Sequence, residues 1–363
     1  MSSNVPVNGE LSVSPDWIGD PAAVEDLLRG LGFREDVVGA LTEAAQELAS
    51  RPEELRTITD FARRWFAARG GRIESTAHPL REALVVVSAF PTAIEHNDSM
   101  GIPREVTSAT LRDLQLFMDD FRARNDAWGF TYSHWLWNHV TGKVFAIEGL
   151  QFAPGYWNLP YVVYRAAGEL VSLASDGLFL DPNGYPRKDP PGVRAHLKEA
   201  AGAVRGFPVD PGSGAVSLRE TGLPSDAQRI LGAGNPVLNL HIPAGADLSQ
   251  ANCMLSYQRA LEFFDRHFPV PGERTIICTS WLLDRELSKV LPDNSRIVGF
   301  GHMFFPLIPP DADDAQLVER VLETPPGRET SLQRKILRHR SQGGRFRLTS
   351  GFLLPEVLES REP

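Results

Sequence analysis

Apolar residues recur at helical spacing through roughly the first 140 positions and at strand spacing beyond them. That change of period constrains the fold more than any other feature of the chain. Asp20-Pro21 reads as an N-cap followed by a first-turn proline, opening a helix over Ala22–Gly30 that Gly32 ends. Glu35–Ala49 follows with Val37, Val38, Leu41, Ala44, Ala45 and Leu48 on one stripe. Pro52–Arg69 repeats the pattern and stops at Gly70-Gly71. Pro79–Thr92 is apolar all round, which predicts a helix buried on all sides. Ser108–Arg124 is amphipathic, and Ser133–Val140 (SHWLWNHV) predicts a short aromatic helix.

Beyond Gly142 the language is that of strands. Lys143–Phe152, Pro160–Arg165, Leu170–Leu173, Val216–Arg219, Val237–Ile242, Thr275–Leu282, Arg296–Phe305 and Phe346–Leu354 read as strands. Helices are expected at Val193–Ala203, Leu248–Phe268, Glu286–Leu291, Ala315–Leu322 and Ser331–Gln342, with Leu255 and Leu261 of the long one facing inward. Strands alternating with helices predict a mixed α/β layer. The expected fold class is α+β: a helical N-terminal domain over 16–140, then a mixed domain over 141–356. The first 15 residues and Glu359–Pro363 read as loose ends.

Composition removes several function classes. Lys and Arg number 37 against 46 Asp and Glu, a net charge of −9, which disfavours non-specific nucleic-acid binding. Two cysteines, Cys253 and Cys278, are too few for a disulfide framework and lack metal-ligand spacing, so no metal is expected. Their free state fits a reducing cytoplasm. The N-terminus has no signal-peptide pattern, and no apolar run is long enough to span a membrane. A phosphate-cradling Gly-rich loop, a dinucleotide fingerprint and a Gly-x-Ser-x-Gly elbow are all absent. His134 and His139 lack the spacing of a helical zinc pair and read as polar edges of an aromatic cluster.

Three stretches carry a resemblance. They are Leu238-Asn239-Leu240-His241-Ile242-Pro243 with the helix holding Ser256 and Phe263-Phe264, then Cys278-Thr279-Ser280-Trp281-Leu282-Leu283, and last Thr330-Ser331-Leu332-Gln333-Arg334. Upstream stand Gly101-Ile102-Pro103, Asp113 and Gly149-Leu150-Gln151-Phe152. In order and spacing, over about 25–355, the chain resembles a two-domain bacterial acyltransferase family with a helical N-terminal domain and a GNAT-like C-terminal domain. The resemblance implies transfer of an acyl group from a pantetheine thioester to an amine. It also implies a central sheet whose fourth and fifth strands splay, here Val237–Ile242 and Thr275–Leu282, with the pantetheine arm in the gap.

Such transfer needs a proton acceptor, a donor to the thioester oxyanion and a grip on the arm. His241, at the end of the first of these strands, has an ordinary pKa of roughly 6.5 and suits a base; its alternative is a histidine capping a strand end. Ser280 can polarise the carbonyl or relay a proton, and Trp281 either walls the acyl pocket or packs in the core. Cys278 shares the face of Ser280 by strand alternation and reads as a structural thiol or a nucleophile. His302, within an expected strand, is a second candidate base. Glu148, a carboxylate in an apolar strand, is a candidate for gripping the amine. Ile242, Gly245, Cys278 and Trp281 are the expected contacts to the thioester arm.

Two departures stand out. The junction Pro243-Ala244-Gly245-Ala246-Asp247-Leu248 lacks the arginine of the usual diphosphate turn, and Asp247, read as a helix N-cap, puts a negative charge there. Leu287–Ser295 lacks the tyrosine acid expected after the fifth strand. Against this, Thr330–Pro355 holds no acidic residue but six cations: Arg334, Lys335, Arg338, Arg340, Arg345 and Arg347. The run reads as a solvated helix face or as an anion dock. As a dock, Arg334, Arg338 and Arg345 would take the 3′-phosphate of coenzyme A or an acyl carrier protein. The expectation is an N-acyltransferase with a small-molecule amine acceptor, in natural-product assembly. Its alternatives are a non-catalytic thioester- or carrier-binding module and an aminoacyl-tRNA-dependent transferase, against which the acidic balance speaks.

Overall fold

The structure, a computed structural model, describes residues 13–68, 79–200, 202–322 and 329–356. The chain ends and Gly70-Gly71, expected to be loose ends and a helix stop, lie outside them, apart from positions 13–15. Helices α1 (Pro21–Gly30), α2 (Glu35–Ala49), α3 (Pro52–Ala67), α4 (Pro79–Val87), α5 (Phe90–Ser99), α6 (Arg104–Leu111), α7 (Asp113–Asn125) and α8 (Ser133–Val140) come first. Asp20 caps α1 by accepting from the amides of Ala22 and Ala23. The segment expected as one buried helix from Pro79 is two, α4 and α5, with Pro91 sitting in the first turn of α5. The expected single helix over Ser108–Arg124 is likewise broken, at Arg112.

The second part holds strands β1 (Phe145–Ile147), β2 (Leu150–Tyr156), β3 (Tyr161–Ala166), β4 (Glu169–Ala174), β5 (Phe179–Leu180), β6 (Pro186–Arg187), β7 (Val193–Arg194), β8 (Lys198–Ala200), β9 (Ala203–Gly206), β10 (Thr221–Leu223), β11 (Gln228–Leu231) and β12 (Pro236–His241). Then come α9 (Gln250–His267), β13 (Thr275–Ser280), α10 (Arg296–His302), β14 (Phe305–Leu307), α11 (Ala315–Leu317), α12 (Ser331–Ser341) and β15 (Thr349–Leu353). The α+β class read from the sequence is the observed one.

Among the described residues the main sheet runs β1-β2-β12-β13-β15-β14, with β12 and β13 parallel at its centre and the other pairs antiparallel. On one face Phe152, Leu238, Leu240, Ile276 and Cys278 pack against Cys253, Tyr257 and Phe264 of α9 and Phe300 of α10. On the other, Val237, Ile277 and Phe352 meet Trp157, Tyr161 and the strands that follow. The helical domain has its own core, from Ile18 to Val140. It is also bound to the sheet: Ile102 packs in the α9-side cluster, and Thr110 Oγ1 accepts from the Ala146 amide of β1 at 2.9 Å.

Four local expectations are overturned. Val193–Ala203 is not a helix but supplies β7 and β8 and leads into β9; its residues are largely exposed and have no helical stripe. Val216–Arg219 makes a single bridge, Val216 to Val209, instead of a strand. Arg296–Phe305 folds mostly as α10, because its apolar residues Ile297, Phe300 and Phe304 recur at helical spacing. Leu255 of α9 faces solvent and is 42% exposed, while Cys253, Tyr257 and Ala260 form the inner stripe.

Candidate active site

The pairing at the centre of the sheet ends before its outer ladders do. Pairing of β12 with β13 runs from Val237↔Thr275 to Leu240↔Cys278 and stops. On their outer sides both strands continue, β12 to His241↔Gln151 and β13 to Ser280↔Thr349. Pairing between the two central strands therefore ends at Leu240 and Cys278, while each keeps its outer partner for one or two residues more. His241 stands just beyond that end.

Side chains alternate faces along a strand, so this register decides which residues share a face. Gln151, His241, Thr279 and Ser350 form a polar row on one face, across β2, β12, β13 and β15. Thr279 and Ser350 are joined by a 2.7 Å hydrogen bond between their hydroxyls. Cys278 and Ser280 do share a face, but it is the opposite one, toward α9. Ser280 Oγ accepts from the Leu282 amide at 3.2 Å and caps the 3-10 turn Trp281–Leu283. Thr279, not singled out from the sequence, is the hydroxyl on the His241 side. Finding it required the strand register, which no local pattern encodes.

His241 is half-buried, with Trp135 from α8 against its ring in an edge-to-face arrangement at 4.7 Å between centroids. Desolvation, then the nearby His139, push its pKa down to about 4, and Asp113 works against them. The imidazole is thus neutral near pH 7 and free to accept a proton. Cys278 is fully enclosed, and burial drives its thiol well above the ordinary range. Cys253 is raised to about 11 by the same cause. Neither offers a thiolate.

The remaining candidates lie elsewhere than expected. Glu148 is not within a strand: with Gly149 it forms the two-residue turn of the β1–β2 hairpin, at φ +49° and +81°, and is exposed. Its carboxylate is in solvent, so the apolar surroundings inferred for it are not there. His302 ends α10 instead of lying in a strand, and is exposed. Trp281, just past β13, packs with Leu287, Leu317, Ile336 and Phe346, and its amide donates to Gln316 Oε1 at 3.0 Å. Ile242 follows β12, half-buried, and Gly245 lies exposed in the turn beyond, at φ +76°.

At that turn Ser249, not Asp247, is the N-cap of α9, accepting from the Asn252 amide. Asp247 accepts from the Ser249 amide and hydroxyl, which hold its carboxyl below the usual range. Arg296 of α10 bonds it at 2.9 Å. An arginine 49 residues downstream thus pairs with the acid of this junction. On α12, Arg334, Lys335 and Arg338 are exposed, as is Arg345 beyond it, and Leu337 among them is 42% exposed. Arg340 is paired with Asp314 at 2.7 Å, and Arg347 lies over the Tyr185 ring. Ile336 of α12 packs in the cluster that takes Trp281, which ties the basic helix to the end of β13.

A helical domain leading into a mixed sheet with one parallel pair at its centre, its ladder ending before those of its neighbours, is a GNAT-like architecture. Residues 145–353 match the family model described as the GNAT-like C-terminal domain, and 22–142 match the N-acyltransferase N-terminal domain. The chain belongs to this family of two-part, GNAT-like N-acyltransferases. No curated protein matches it. Among solved structures it is similar to an acyltransferase mutant in complex with octanoyl-CoA, at 19% identity and TM-score 0.56 over 92% of this chain and 87% of that one. An acyltransferase in complex with decanoyl-CoA and teicoplanin is similar at 20% identity and TM-score 0.55, over 91% and 87%. A third, with CoA and 10C-teicoplanin, is similar at 18% and 0.53, over 92% and 99%. Among the described residues, no helix is long and apolar enough to cross a membrane, and no group of three metal-ligating side chains occurs.

Proposed function

We propose that this protein transfers an acyl group from acyl-coenzyme A to a small-molecule amine by direct attack, with His241 as the base. The observation that carries this reading is the early end of the β12–β13 ladder with a neutral imidazole just beyond it. Beyond the ladder the two edges can pair with the amides of a pantetheine arm as a further strand would. A backbone N–H there can bond the thioester oxygen as it becomes an oxyanion. The amine attacks the carbonyl; as the C–N bond forms, its nitrogen loses basicity and its proton passes to His241. The C–S bond then breaks, the thiolate takes up the proton, and amide and free thiol leave. Thr279, on β13 and on the face of His241, is placed to hold the acceptor or the departing sulfur. Both cysteines are buried with raised pKa values, which favours direct attack over an acyl-cysteine intermediate.

Arg296 beside Asp247 and the cations of α12 supply charge for the diphosphate and 3′-phosphate of the donor. The solved structures of similar fold that contain octanoyl-CoA or decanoyl-CoA support coenzyme A as the carrier, and the teicoplanin in two of them supports a natural-product amine as acceptor. One observation favours a second donor: Leu337 lies exposed among Arg334, Lys335 and Arg338, an apolar spot in a basic face that fits the acidic helix of an acyl carrier protein.

The test incubates the protein with decanoyl-CoA or a decanoyl carrier protein and an amine library, and seeks amides by mass spectrometry. Amide formation with decanoyl-CoA, insensitive to ribonuclease, is the expected result; none with either donor overturns the enzymatic reading. Reversing Arg334, Arg338 and Arg345 to Glu is expected to raise KM for the thioester tenfold or more. Unchanged KM for both donors removes α12 from the site.

A further inference from the structure

Behind His241 lies a pair of ionisable side chains that the transfer as described does not use. Asp113 opens α7 and is 4% exposed; His139, on α8, is 0% exposed. Asp113 Oδ2 and His139 Nε2 stand 3.1 Å apart, yet they are not aligned as a hydrogen bond and neither atom has another partner. The other ring nitrogen, Nδ1, lies 3.3 Å from the Trp135 carbonyl one turn back. Trp135 meets both imidazoles edge to face, His139 at 5.5 Å and His241 at 4.7 Å.

A neutral imidazole has one N–H, and Nδ1 spends it on the Trp135 carbonyl. The lone pair left on Nε2 would then face a carboxylate lone pair in a pocket closed to water. Buried polar atoms left this way are costly in a protein interior and point to a task. The pair sits at the junction of the helical domain with the strand that carries the base.

We infer that Asp113 and His139 are positioning residues for His241: from the helical domain this buried pair holds Trp135, and through it the imidazole, in place at the end of β12. The inference rests on the reading of His241 as the base. Among the described residues, the ionisable groups that bear on His241 are these two. Its neighbours on the sheet, Gln151 on β2 and Thr279 on β13, do not ionise in this range. On the helical side α5 brings His96 near Gly142, just beyond α8, and His134 of α8 is exposed.

The experiment labels the histidine rings with carbon-13 and follows the His241 resonance, assigned by its loss in His241→Gln, through a pH titration. His139→Gln removes an imidazole that opposes charge on His241, so its titration should move upward from about 4. The kcat for transfer from decanoyl-CoA should fall at least tenfold, with KM for the thioester within twofold. Asp113→Asn keeps the side-chain volume and provides the same readout if His139→Gln does not fold; the His241 titration should again depart from the wild-type value. A His241 titration unmoved in a folded variant overturns the inference, even if that variant has lost stability or rate. Full turnover by His241→Gln overturns the reading of the base, and the inference with it. An inactive His241→Gln beside an unmoved titration overturns the pair alone.

Discussion

At the scale of single residues the environment of His241 carries a measurable cost. Its pKa is about 4 in the folded chain and near 6.5 when the chain is unfolded, so between these values the unfolded state binds a proton that the folded state does not. Stability therefore falls as pH drops through that window and is fully present above it. The loss is on the order of 3 kcal/mol if the whole shift is realised. His241→Gln, which does not titrate, should flatten the urea-midpoint profile between pH 6.5 and 4. A wild-type profile already flat there would contradict the desolvated, neutral imidazole. His241 was legible in the sequence as a polar residue ending a clean strand. Asp113 and His139 were not: 26 residues separate them, and His139 reads locally as one more ring in an aromatic helix. Only the fold, which sets the first residue of α7 beside α8, brings the carboxylate to it.

Among the elements, the turns separate two kinds of glycine that look alike in sequence. Gly149 and Gly184 both adopt φ +81°, a region other residues enter with strain. A Cβ on Gly149 would meet nothing within 4 Å, whereas one on Gly184 would meet the Val216 carbonyl oxygen at 2.1 Å. Gly149→Ala should cost about 1 kcal/mol and Gly184→Ala about 2–4 kcal/mol, by chemical denaturation. Equal costs would mean that the Gly184–Val216 approach is relaxed in solution. Helices with a long amphipathic stripe, α2, α3 and α9, were readable because their period is internal to the segment. The strands β7 to β9 were not, since short exposed strands have no apolar alternation and owe their form to their neighbours. The misread of Arg296–Phe305 has a similar origin. A short run rich in Ile, Val and Phe satisfies a strand and a buried helix equally, and packing on α9 and the 3-10 turn after β13 decided it.

For the whole molecule, the question is whether two sequence regions make two independent bodies. Met100, Ile102 and Val106 of the helical part pack into the cluster under α9, and His267 Nδ1 lies 3.3 Å from the Met100 carbonyl. Thr110 holds the edge strand β1, and Trp135 covers His241. With so much shared apolar contact, calorimetry should show one cooperative unfolding transition with matching calorimetric and van't Hoff enthalpies. Two resolved transitions would show the halves to be independent. The same junction brings Trp135 of the helices against His241 on the sheet.

The sequence by itself determined the α+β class, the change near residue 140, the two strands that pair at the centre of the sheet, and the histidine at the end of one of them. These follow from hydrophobic period, turn residues and local order, all of which lie within short stretches of chain. Tertiary structure alone decided that Thr279 and not Ser280 shares the His241 face, and that Arg296 reaches Asp247. It also decided that Asp113 and His139 meet each other close to His241. Those facts depend on strand register and on helices meeting across long separations, where small differences in packing free energy choose among arrangements that the local sequence allows equally.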